Sequence, residues 1–135
     1  MQTWYDSLAK PPLTPPKKVF GPVWGALYLL IFTSLAIYFS TPLKPHFALT
    51  CILLLVHFTA GFSWTSIFFG RKRILWALAD IVVLDLTLIA VITLFLKAST
   101  TAALLLLPYL GWGLFATYLN LGIYRLNRNT PEADT

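Results

Sequence analysis

Residues 74–96 read ILWALADIVVLDLTLIAVITLFL, and the only charged side chains among them are Asp80 and Asp85. At a rise of about 1.5 Å per residue, a helix of this length matches a hydrocarbon core roughly 30 Å thick. The apolar positions run on without alternating, which excludes a barrel strand and leaves a membrane-spanning helix. Arg71, Lys72 and Arg73 stand before it, and before them comes an uncharged run over residues 47–69. A turn marked by Pro42 and Pro45 separates that run from another over residues 19–39. After the stretch, a short polar link at residues 97–101 leads to a fourth run, residues 102–124.

Four such spans take up most of a 135-residue chain. Its composition is 58% hydrophobic and 11% charged, with a mean hydropathy of +0.75. Soluble domains are closer to half apolar and a quarter charged, so a water-soluble fold is excluded. The expectation is an all-α polytopic membrane bundle with four transmembrane helices, one domain over residues 1–135. That length leaves no room for an appended catalytic or receiver domain. Residues 1–18 are polar and proline-rich, and they form a loop rather than a cleavable signal peptide.

The cations set the orientation. Lys10, Lys17, Lys18, Arg71, Lys72, Arg73, Arg125 and Arg128 fall on one side, and only Lys44 and Lys97 on the other. Cytoplasmic loops carry the excess of Lys and Arg, so both termini are expected in the cytoplasm, most simply at a bacterial cell membrane. The bias also argues against a dual-topology exporter. The net charge of +5 is spread over connecting segments rather than gathered on one face, so no nucleic-acid partner is expected. Cys51 stands alone and cannot form an internal disulfide.

Three residues carry unusual chemistry for a membrane interior. An acid at mid-bilayer costs about 3 kcal/mol on insertion scales, so such acids face the bundle or a cavity. Asp80 and Asp85 are five positions apart, about 140° around a helix, and cannot share one site. His57 lies at a depth similar to Asp85 and is its expected partner, either as a proton relay or as a hydrogen-bonded structural pair. Among the five tryptophans, Trp24, Trp64 and Trp76 fall toward one half of the membrane and Trp112 near its middle. Converging indoles would line a pocket for a flat apolar ligand, whereas belt anchoring and packing are the ordinary alternative. Gly21 and Gly25 match a spacing that permits close helix approach. Asn120 and Asn127 share a helix face, with Asn127 beyond the span. No residues have metal-ligand spacing, and no phosphate loop or nucleophile motif is present.

WYDSLAKPPLTPPKKVFGPVWGALY at residues 4–28 resembles the signature of the TspO family, the tryptophan-rich sensory or translocator proteins. PYLGWGLFATYLNLGIYRLN at 108–127 is similar to that family's last helix, and WTSIFFG at 64–70 and WALADIV at 76–82 to its middle helices. The resemblance implies a pocket for porphyrins and aromatic drug-like ligands, with sterols bound by some members, beneath the proline-rich loop. It implies ligand contacts from Trp4, Tyr5 and Pro16 in the loop, Trp24 and Tyr28 in the next helix, and Trp76 in the third span. On the last span it implies Trp112, Ala116, Leu119 and Asn120.

Family members usually have five spans, and this chain opens at the loop that follows the first. The expectation is a bundle whose flank faces lipid or a second protomer in a homodimer. In the family's Gln-Leu-x-x-Asn-x-x-Trp pattern, His57 stands at the Gln position and Gly61 at the Asn position. The implied function is binding of tetrapyrroles or similar flat hydrophobic ligands for sensing or transport. Some members promote light- and oxygen-dependent porphyrin breakdown, for which Trp24 and Trp112 would be the residues. No cofactor or metal is expected, since a porphyrin would be the ligand. The rival is a proton-coupled transporter using His57, Asp80 and Asp85.

Overall fold

The computed structural model describes residues 4–127, with the side chains of Trp4 and Lys17 outside the described set. A single helical turn, α1 (Trp4–Ser7), precedes a proline-rich stretch. Helices α2 (Lys17–Ser40), α3 (Phe47–Thr65) and α4 (Ile74–Leu96) follow, and a π-helical turn at Ser66–Gly70 prolongs α3. The last span is divided into α5 (Thr100–Leu105) and α6 (Leu107–Asn127). Four segments are long and apolar enough to cross a membrane, and no strand occurs among the described residues. The chain is an all-α, multi-pass membrane bundle.

Two helix starts differ from the sequence reading for physical reasons, and the last span runs on to Asn127. Helix α2 starts directly after Pro16, two residues before the apolar run. Charge marks where the hydrocarbon ends, whereas the backbone stays helical into the interface, where a long cationic side chain can reach water. The last span begins early because the Ser99 side chain accepts from the Ala102 amide at 3.2 Å, a helix cap. It then breaks at Leu106. Pro108 offers no N–H to the carbonyl of Leu104, and its ring crowds that carbonyl.

The helices pack in the order α3, α4, α6 and α5, α2. Although consecutive in the chain, α2 and α3 do not pack along their lengths. Their ring contacts are Tyr38 and Phe39 against Phe47, beside the turn that joins them. Two apolar clusters hold the bundle. At this turn end, Tyr38 stacks on Phe95 with centroids 4.2 Å apart, surrounded by Ile31, Leu88, Val91, Ala102 and Ala103. The Ser34 hydroxyl donates to the Ala102 carbonyl at 2.6 Å, tying α2 to α5. At the other end, Leu8, Phe68, Ile74, Ala77 and Ile123 join the loop to α3, α4 and α6. Gly21 and Gly25 take no part in close packing, since a Cβ at either would meet nothing within 4 Å.

Candidate ligand-binding site

Between the unpacked parts of α2 and α3 lies a cavity of about 630 Å³. Each helix supplies one stripe of side chains at helical spacing. Helix α2 gives Phe20, Trp24 and Tyr28. Helix α3 and its π turn give His57, Phe58, Gly61, Phe62, Trp64, Thr65, Phe68 and Phe69. Helix α4 gives Ile81, Leu84, Asp85 and Leu88, and α6 gives Tyr109, Trp112, Gly113, Ala116, Leu119, Asn120 and Ile123. Tyr28 is 42% exposed and Phe62 74% exposed although both line the cavity, which places its mouth between α2 and α3.

The aromatic wall is ordered by edge-on contacts. Trp24 stands 6.4 Å from Trp112 at 85°, and 6.5 Å from Tyr109 at 67°. Tyr28 and Phe20 extend this wall along α2. Trp64 is held from behind: its indole N–H donates to Asn120 Oδ1 at 3.0 Å, while Asn120 Nδ2 donates to the Ile74 carbonyl at 3.2 Å. Asn120 therefore lines the cavity but spends its carbonyl and an N–H on positioning α3 and α4 against α6.

The loop closes one end of the cavity. Tyr5 reaches the lining and sits 5.7 Å from Phe69 and 6.3 Å from Phe68. Burial and the neighbouring Asp6 charge hold its phenol above the ordinary value, so it remains a neutral hydroxyl. Lys10 sits 4.6 Å above the Tyr5 ring and donates to the Leu8 carbonyl at 3.1 Å. Three contacts pin the loop to α6. Asn127 accepts from the Ala9 amide at 3.1 Å and donates to the Ala9 carbonyl at 2.8 Å. Tyr118 donates to the Pro12 carbonyl at 2.8 Å. Pro11 lies so close to Gly122 that a Cβ there would fall 2.6 Å from the ring. None of these three roles was assigned from the sequence, because each depends on a fold contact between residues more than one hundred positions apart.

Of the ten ligand contacts implied by resemblance, Tyr5, Trp24, Tyr28, Trp112, Ala116, Leu119 and Asn120 line the cavity. Trp76 does not; it is 59% exposed. It is nine positions from Asp85, about 180° around α4, so it faces away from the cavity stripe. Pro16 is exposed at the start of α2 and is also absent from the lining. The Trp4 side chain lies outside the described residues.

The expected pairing of His57 with Asp85 is corrected. His57 Nδ1 lies 2.9 Å from Thr87 Oγ1 and 3.1 Å from the Leu84 carbonyl, and Nε2 lies 2.7 Å from the Tyr109 hydroxyl. A carbonyl only accepts, so Nδ1 carries the proton and Nε2 accepts from Tyr109. Asp85 instead bonds through Oδ2 to the Thr117 hydroxyl across the α4–α6 interface. Asp80 is not in the lining, and its Oδ1 is buried with no partner among the described residues. Gly61 does line the cavity, and a Cβ there would meet only Leu84 Cδ2 at an ordinary 3.5 Å. No group of three or more His, Cys, Asp or Glu is placed to hold a metal among the described residues.

A family model described as the TspO/MBR family matches residues 1–125. The chain is 40% identical to the tryptophan-rich protein TspO of Archaeoglobus fulgidus over 127 residues, covering 94% of this chain and 82% of that one. It is 40% identical to the tryptophan-rich sensory protein of Cereibacter sphaeroides over 130 residues, covering 96% and 80%. It is 35% identical to the translocator protein of Homo sapiens over 142 residues, covering 96% and 81%.

Proposed function

The chain belongs to the TspO/MBR family, and on that premise we propose that it binds porphyrins or similar flat, hydrophobic molecules in the cavity at the loop end of its bundle. The observation that carries the reading is the wall itself. Trp24, Tyr28, Tyr109 and Trp112 surround a space of about 630 Å³, within the usual range of about 300–1,000 Å³ for small-molecule sites. Aromatic faces and edges suit a conjugated macrocycle, and the mouth between α2 and α3 admits it from the side. The pinned loop keeps Tyr5 over one end of the bound molecule and has few conformations left to lose on binding.

Relatives named as a sensory protein and a translocator protein support a role in sensing or moving such a ligand. The cation bias supports a cell-membrane protein with both termini cytoplasmic. A proton-coupled transporter has less support, because the His57–Asp85 contact it would use is replaced by Tyr109 on one side and Thr117 on the other.

Titrating protoporphyrin into the detergent-purified protein tests the proposal. Saturable quenching of tryptophan emission is expected together with a shifted porphyrin spectrum. Trp112→Ala is expected to weaken binding about tenfold by removing one stacking wall. Unquenched emission with an unchanged porphyrin spectrum would overturn it.

A further inference from the structure

Among the described residues, one carboxyl group, that of Asp85, lines this aromatic cavity. Asp85 is almost fully buried, and its Oδ2 is fixed by Thr117, whose Oγ1 also lies 2.9 Å from the Gly113 carbonyl. Its Oδ1 takes no hydrogen bond from a described residue. Unlike Asp80 Oδ1, it is not sealed off, and the residue lines the cavity. Gly113 makes this position available: a Cβ there would lie 2.8 Å from Oδ1. Among the described residues the lining contains no Lys or Arg, and His57 is committed to Tyr109, Thr87 and Leu84. The carboxyl group is thus held at membrane depth, facing an aromatic space, without a cationic partner among the described residues.

A charged carboxyl held this way is costly unless it takes up a proton or a ligand supplies the countercharge. Aromatic rings attract cations through their faces, and that attraction strengthens when water is excluded. Gly113 follows Trp112 directly, so the carboxylate and an indole are presented at the same level of α6.

The geometry points to a ligand class: flat aromatic molecules that carry a positive charge, whose cationic centre Asp85 Oδ1 neutralises while Trp24, Tyr109 and Trp112 enclose the rings. This rests on the cavity being a site for flat aromatic ligands and adds what selects among them. The charge is recognised by an acceptor that the fold leaves unfilled. A neutral molecule of the same shape gains the stacking but leaves the carboxyl unsatisfied.

The test uses two probes with one ring frame, N-methylacridinium and acridine, in a mildly alkaline buffer where acridine is neutral. Protoporphyrin is titrated in parallel, all against the full chain in detergent. Wild-type protein is expected to bind the cation about tenfold more tightly than acridine. In Asp85→Asn, whose amide can still accept from Thr117, the ratio is expected to fall to about one. Gly113→Ala keeps the carboxyl but crowds Oδ1, and the preference should fall there too. A wild-type ratio near one, or a preference that survives both variants, overturns the inference and leaves the aromatic pocket standing if protoporphyrin binds. An Asp85-dependent preference with no protoporphyrin binding supports the inference and removes the porphyrin reading. If none of the three molecules binds, both fall.

Discussion

The two ends of the bundle use the same kinds of side chain for opposite purposes. At the turn end, Tyr38 and Phe95 lie flat on each other, 4.2 Å apart and within 5° of parallel, with small Ala102 and Ala103 letting α5 close in. At the loop end, the rings of Trp24, Tyr109 and Trp112 stand edge-on at 6.4–6.5 Å and enclose space instead of filling it. Lipid tails are as apolar as the helix surfaces, so helices associate in a membrane through close packing and hydrogen bonds. One end supplies that packing. The other can then stay open, provided that the Asn127 and Tyr118 hydrogen bonds join the Leu8 and Pro11 contacts in holding its loop.

The contrast can be broken most severely at Phe95. Phe95→Ala should cost about 3 kcal/mol and lower the thermal midpoint in detergent by several degrees, since it empties the centre of the packed end. A small change there would mean that the turn end does not hold the bundle. Next in size is Asn127→Ala, which removes both bonds to the Ala9 backbone. The Ala9 amide should then exchange with deuterium about tenfold faster, while amides of α4 near Phe95 stay protected. Acceleration spread evenly over the bundle would show that the ends are not separable. The smallest effect is expected at Tyr38, whose hydroxyl is buried with no partner among the described residues. Tyr38→Phe should be neutral or stabilise by up to about 1 kcal/mol in a chemical or thermal melt, because it removes an unsatisfied polar group. A clear loss would reveal a bond for that hydroxyl.

Much of this was legible in the residues. The four apolar runs, the prolines before Lys17 and the cation clusters place the spans, because the bilayer demands length and hydrophobicity of each span independently. The break at Leu106 was not read from the sequence, which treated residues 102–124 as one span although Pro108 lies within it. Seven of the ten implied contact residues reach the cavity; Trp76 does not, because the structure turns the Asp85 side of α4 inward and Trp76 lies about 180° from Asp85. The partners of His57 and Asp85 could not be foreseen. Depth in the membrane brings two residues to the same level, but rotation of each helix about its axis decides whether they meet, and that depends on packing across the whole bundle. The loop clamp was hidden for a related reason. Asn127 reads as a polar residue beyond a span until the fold carries Ala9 to it.

The division of the bundle into a packed end and a binding end is tested most directly by hydrogen–deuterium exchange with and without saturating protoporphyrin. Added protection is expected in the Tyr5 loop and in the cavity-lining turns around Trp24, Gly61 and Trp112, with no change around Tyr38, Phe95 and Ala102. Protection centred on the turn end, or spread uniformly through all four spans, would contradict it.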